Sequence, residues 1–252
     1  MIVIREEWKR IPLLHIYTEE MTENTPVVIF LHGFMSAKEH NLHYAYQLVE
    51  KGVRVILPDA YLHGERTEHL SEIQMNLHFW KIVMKSVTEV HTLYQELKLK
   101  KLLAAEQIGI AGTSMGGITT SGCLRLYNWI QAAGICMGTT SFTKLALHQL
   151  EDYTTKGMSF PMSLEQQAAI FEMLRSHDLE QAPEVFARCP IIFWHGQQDR
   201  TVPFSMSYPF YEQLQQQGQA EKTQFIVDGK AGHAVSRHGM LEVTNWLAQH
   251  LA

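Results

Sequence analysis

The sequence predicts an α/β fold, a largely parallel sheet with helices on both of its faces. Three observations lead there. Short runs that are apolar on both sides, such as Val27 to His32 and Val53 to Leu57, are too short for helices and read as buried central strands. They alternate with stretches whose apolar residues recur at helical spacing. Finally, Gly112-Thr113-Ser114-Met115-Gly116 fits G-x-S-x-G, a turn that carries a serine from the end of a strand onto the start of a helix.

Taken along the chain, Ile2 to Trp8 and Leu13 to Thr18 read as an edge hairpin turning around Ile11-Pro12, with β-branched residues at alternating positions. Val27 to His32 and Val53 to Leu57 flank a helical stretch, Lys38 to Lys51, which carries Tyr44, Leu48 and Val49 on one side and ends at Gly52. Together they form a βαβ unit. Ser71 to Lys98 is a long helix with its apolar stripe at Ile73, Leu77, Trp80, Val83, Met84, Val87, Val90, Leu93, Tyr94 and Leu97. Gln107 to Ala111 and Gly117 to Tyr127 supply the strand and helix on either side of the serine turn. Ala132 to Met137, Pro190 to Trp194 and Thr223 to Val227 read as further strands, and Ser236 to His250 as a closing helix. Ser141 to Arg188 is far longer than one crossover needs, and is expected to be a helical cap inserted beyond the carboxyl ends of the strands, where open α/β sheets enclose ligands.

The 252 residues, 46% of them hydrophobic, are expected to form one domain, 1–252, with the cap at about 141–188. A formal charge of −5 provides no basic field, so nucleic acid is not an expected partner. Cys123, Cys136 and Cys189 lie in apolar surroundings and read as buried thiols. With no signal-peptide pattern at the start and no long apolar run, the expectation is a soluble cytoplasmic protein that does not enter a membrane. The histidines at 40, 43, 63, 69 and 78 lack zinc-type spacing and read as scattered, solvated side chains, so no metal and no cofactor is expected.

A serine hydroxyl is a poor nucleophile near neutral pH and needs a histidine to take its proton, with an acid to fix that histidine's tautomer. Asp199 lies just beyond a predicted strand, and His233 in the loop after the last one. Strand ends converge on one edge of a parallel sheet, so Ser114, Asp199 and His233 can meet there as nucleophile, acid and base. Asp59 comes before the serine and Asp228 stands too near His233 in sequence; Asp228 is kept as a reserve acid. His238, within a predicted helix, is the weaker base. The charge that builds on the carbonyl oxygen during acyl transfer needs hydrogen-bond donors, and the N–H groups of Phe34, after Leu31-His32-Gly33, and of Met115, after the serine, are the expected pair. His32, Gly33, Tyr61 and Phe160 are expected to contact substrate, with Phe160, Met162 and Phe171 lining the cap.

These residues together resemble the α/β-hydrolase superfamily, in particular the prolyl-oligopeptidase-like and dienelactone-hydrolase-like small bacterial carboxylesterases. The similarity runs end to end, through Ile29 to Phe34, Arg54 to Ala60 with His63-Gly64-Glu65-Arg66, Gly112 to Gly117, His195-Gly196 with Asp199 and Val202-Pro203, and Gly232-His233. It implies an eight-stranded sheet whose second strand is antiparallel, the triad and oxyanion donors named above, and metal-free cleavage of small-molecule carboxylic esters through an acyl-enzyme. Serine at the elbow, where dienelactone hydrolases carry cysteine, favours esterase chemistry, and there is no room for the propeller of prolyl oligopeptidases. The expected substrates are esters of short to medium acyl chains. Thioester hydrolysis and acyl transfer on the same residues remain open, and a peptidase or a non-catalytic ligand-binding module fits less well.

Overall fold

The computed structural model describes residues 1–155, 157 and 163–252. Eight strands form one sheet: β1 (Ile2–Trp8), β2 (Ile11–Tyr17), β3 (Val27–Leu31), β4 (Arg54–Pro58), β5 (Ile108–Thr113), β6 (Ala132–Cys136), β7 (Ile191–Gly196) and β8 (Thr223–Asp228). Their order is β1-β2-β4-β3-β5-β6-β7-β8, with β2 antiparallel to both its neighbours and every other pair parallel. The central strands β3, β4, β5 and β6 are buried almost throughout, as their continuous apolar sequences require.

The described residues form eight α-helices, most of them packed on the sheet: α1 (Leu42–Val49), α2 (Glu72–Leu99), α3 (Met115–Leu126), α4 (Phe142–Thr155), α5 (Leu164–Arg175), α6 (Glu184–Arg188), α7 (Tyr208–Gln216) and α8 (Arg237–Leu251). Tyr44, Leu48 and Val49 of α1 and Val243, Leu247 and Leu251 of α8 pack with Val28, Phe30 and Val55 on one face. On the other, Val87, Val90 and Leu93 of α2, Leu124 of α3, Phe186 of α6 and Leu214 of α7 pack with Val27, Ile29 and Ile110. Alternate residues of β3 thus feed opposite cores, which is why its whole length is apolar. None of the described helices is long and apolar enough to cross a membrane.

Three local expectations are corrected. The hairpin turns at Lys9 and Arg10, with φ of 51° and 65°, and Ile11-Pro12 lies inside β2, opposite Trp8 and Glu7. Two successive residues with positive φ make the tight turn that matches strand twist, and here non-glycine residues adopt it. In α2 the stripe shifts over the first turns: Ile73 and Leu77 are 64% and 55% exposed, while Met75 and Phe79 are buried. Ser71 starts that helix with a full capping box to Gln74. Between β6 and β7, α4 and α5 stand away from the sheet, but Leu179, Ala182, Val185 and Phe186 are buried in the core beneath β7. The tail of the expected cap is therefore scaffold.

Candidate active site

Ser114 occupies the tip of the turn between β5 and α3 at φ 54° and ψ −118°, a conformation that side-chain-bearing residues rarely adopt. Its flanking glycines make the turn possible. A Cβ on Gly112 would lie 2.4 Å from the carbonyl carbon of Gly116, and one on Gly116 would lie 2.2 Å from the carbonyl oxygen of Leu31. The Ser114 N–H donates to Cys136 O at 2.8 Å, tying the turn to β6.

Asp199 follows β7 and His233 follows β8, so both arrive at the carboxyl edge of the sheet, beside the serine. The hydroxyl of Ser114 lies 2.7 Å from His233 Nε2, and His233 Nδ1 lies 2.7 Å from Asp199 Oδ2. That chain selects the tautomer with the proton on Nδ1, which donates to the carboxylate while Nε2 accepts from the hydroxyl. The other carboxylate oxygen of Asp199 accepts from the backbone N–H groups of Thr201 at 2.9 Å and Val202 at 3.0 Å. Burial opposes ionisation of this carboxyl. The hydrogen bonds from His195 and His233, the charge of His233 and the Val202 N–H outweigh it and hold the acid well below the usual carboxylate range. His195 is itself buried, with Nε2 donating to Val202 O at 2.8 Å and lying 3.4 Å from Asp199 Oδ2.

The loops bearing Asp199 and His233 are joined to each other. Gln197 N–H donates to Asp228 O at 2.8 Å and Gln198 N–H to Ala231 O at 3.0 Å. Asp228, the reserve acid, accepts from Lys230 and Ala231 N–H and so shapes the loop that carries His233. Asp59 is fully buried in an ion pair with Lys38 at 2.6 Å, and His238 is solvent-facing on α8, 4.0 Å from Glu242.

The loop after β3 passes against the serine: a Cβ on Gly33 would lie 3.5 Å from the Ser114 Cβ. Phe34 is half-buried, its ring edge-on to Phe79, and Met115 begins α3, where backbone N–H groups have no partner within the helix. A pocket of about 300 Å³ opens at Ser114 and His233, walled by Gly33, Asn41, Tyr44, Met137 and Val235. His40 and His43 also line it, with His40 Nδ1 2.7 Å from Ser36 Oγ. Sequence reading missed this polar wall, because nothing in the spacing of those histidines ties them to the serine.

One expected substrate contact is corrected, and a second lies away from the pocket lining. His32 is 2% exposed and both its ring nitrogens are engaged by backbone, so it has no free polar atom to offer a ligand. Tyr61 lies outside the residues that line the serine pocket; its ring packs under Lys85 Nζ, 4.0 Å from the ring centre. Phe160 and Met162 lie outside the described residues. Phe171 lines a second, mainly apolar cavity of about 410 Å³ between α2, α4 and α5, together with Trp80, Met84, Leu150 and Ile170. His63, read as solvated, is 3% exposed.

A mostly parallel sheet in this order, with its second strand reversed and a G-x-S-x-G turn after β5, is the α/β-hydrolase fold. The sequence profile of the prolyl oligopeptidase family matches residues 45–252, and the chain belongs to that family. It is 40% identical over 244 residues to a Bacillus subtilis (strain 168) protein named "Putative esterase YitV", covering 96% of each chain. It is 27% identical over 249 residues to "Esterase YjfP" of Escherichia coli (strain K12), again covering 96% of each. Among solved structures, TT1662 from Thermus thermophilus superposes with a TM-score of 0.77 at 19% identity, covering 99% of this chain and 98% of that one, a likeness of fold. By family and by these relatives the chain is an enzyme, a serine hydrolase of the esterase type.

Proposed function

We propose that the chain is a serine carboxylesterase acting on esters of short to medium acyl chains through an acyl-enzyme, with Ser114, His233 and Asp199 as its triad. The observation that carries this reading is the continuous hydrogen-bonded path from the Ser114 hydroxyl through His233 to Asp199, with both links at 2.7 Å. His233 takes the Ser114 proton as Oγ attacks the acyl carbon, and gives it to the departing alkoxide as the ester C–O bond breaks. Water then gives its proton to His233, attacks the acyl-serine, and releases the acid with Ser114 reprotonated. Asp199, kept ionised, stabilises the imidazolium in each half. The N–H groups of Phe34 and Met115 receive the developing oxyanion.

Size selection rests on the pocket of about 300 Å³ at Ser114, which accommodates a small ester, and on α4 and α5, read as the cap. Hydrolysis of p-nitrophenyl esters of increasing chain length by the wild type and by Ser114→Ala tests the proposal. Turnover should peak at the shorter chains and vanish in the variant; undiminished turnover by Ser114→Ala rules the reading out.

A further inference from the structure

The segment from Asp59 to Glu65 contributes nothing to the serine, histidine and acid, yet it grips the loop that carries Phe34. We propose that His32 and His63 are paired positioning residues that set the orientation of the Phe34 N–H by holding the two peptide planes on either side of that residue. The inference rests on the assignment of Phe34 as an oxyanion donor in the proposed esterase.

The first plane joins Gly33 to Phe34. His32 Nδ1 donates to the Gly33 carbonyl at 2.8 Å, and because a trans peptide is planar its N–H points opposite to its C=O, so this bond also aims the Phe34 N–H. The second plane joins Phe34 to Met35. The Met35 N–H donates to His63 Nε2 at 3.0 Å, and Met35 itself holds a φ of 56°, a strained conformation that needs an external partner. With both flanking planes fixed, the dihedral angles of Phe34 have no remaining freedom.

Each ring is locked from its far side by the same segment. His32 Nε2 accepts from Ala60 N–H at 3.0 Å, and His63 Nδ1 donates to Tyr61 O at 2.9 Å, so each imidazole is held as a neutral Nδ1–H tautomer. The rings stand 5.3 Å apart, and that of His63 lies edge-on to Phe34 at 5.5 Å. The segment is anchored in turn by Asp59, which accepts from Lys38 N–H at 3.0 Å and Glu65 N–H at 3.0 Å and pairs with Lys38 Nζ at 2.6 Å. Gly64 permits that turn, since a Cβ there would lie 2.1 Å from Asp59 Oδ1. A histidine that only filled core space would not tie a peptide plane beside Phe34 with one ring nitrogen and the backbone of Ala60 or Tyr61 with the other.

The test is steady-state kinetics on a short p-nitrophenyl ester with thermal melts of each variant. His63→Gln keeps an acceptor at the reach of Nε2; His63→Leu and His63→Asn do not. For the Leu and Asn variants kcat should fall roughly ten- to a hundredfold with KM nearly unchanged, because the oxyanion forms only in the transition state, and Gln should recover kcat to within a few-fold. His32→Asn, which keeps a donor at the position of Nδ1, should likewise exceed His32→Leu. Folded Leu and Asn variants with wild-type kcat overturn the inference, as does a Gln variant no better than Asn at equal melting temperature. If His63→Leu does not fold, the Gln and Asn pair decides. Ser114→Ala, run in parallel, separates the two claims: activity retained there removes the esterase reading itself, whereas its loss beside an active His63→Asn removes only this one.

Discussion

Gly196 is packed against Gly232 so closely that a Cβ on Gly196 would lie 2.3 Å from the Gly232 carbonyl oxygen and 2.5 Å from that of Ala231. The close approach brings the end of β7, which leads to Asp199, against the loop that presents His233. Gly196→Ala must drive these loops apart. A displacement of about an ångström costs on the order of a hundredfold in turnover, so kcat on a short ester should fall by that factor while the Ser114 turn stays intact. Wild-type kcat in the folded variant would show that the two loops have slack.

Asp199 fixes the proton of His233 on Nδ1, and an amide cannot do this. Asp199→Asn retains the size of the side chain but can turn its NH₂ toward Nδ1, favouring the tautomer whose Nε2 is already protonated and unable to accept from Ser114. The expected loss in kcat is roughly 10³- to 10⁴-fold near neutral pH, with little change in melting temperature. Measuring both quantities on one preparation checks it.

Acid should weaken the fold through His32. Burial, the largest influence, pushes its pKa down to about 4 from 6.5; the Gly33 carbonyl raises it and the neighbouring His63 lowers it further. The unfolded chain binds a proton at this side chain as pH falls through about 6.5, while the folded chain resists until about 4. Stability from this group is thus complete above 6.5 and drains away down to 4, by about 3 kcal/mol in all. Urea midpoints across that interval should fall more steeply for the wild type than for His32→Asn, which has nothing to titrate there.

Lys38 and Asp59 have no solvent-exposed side-chain surface, and Lys38 Nζ also meets Glu65 at 2.6 Å. Lys38→Met fits the stem but leaves the Asp59 carboxylate buried without its cation. Removing one partner of a buried pair costs roughly 3–5 kcal/mol, which denaturant unfolding will register. The double variant Lys38→Met, Asp59→Asn should recover part of it.

The chain's own pattern reveals the serine turn and the convergence of Ser114, Asp199 and His233, because glycine spacing and strand-end position are local properties. The positions of most strands and the buried helix faces follow from the same short-range periodicity, whereas the reversal of the second strand follows only from the family resemblance. What escapes are relations between distant segments. His63 and Met35 are 28 residues apart, as are His32 and Ala60, and no periodicity links them. The start of α2 escapes for another reason: Ile73 and Leu77 continue the apolar spacing, but the helix there leans past the sheet toward α4 and α5, and Leu77 borders the cavity between them. Lys9 and Arg10 carry none of the usual residues of a tight hairpin turn, so the proline nearby draws attention to the wrong place.

Because Leu179, Ala182, Val185 and Phe186 are woven into the interior beneath β7, the long excursion between β6 and β7 is not a detachable module. Replacing α4 and α5 with the corresponding helices of a relative has cut points on either side of them that leave those four residues in place. A graft carried through to residue 188 would trade away part of the foundation beneath the sheet.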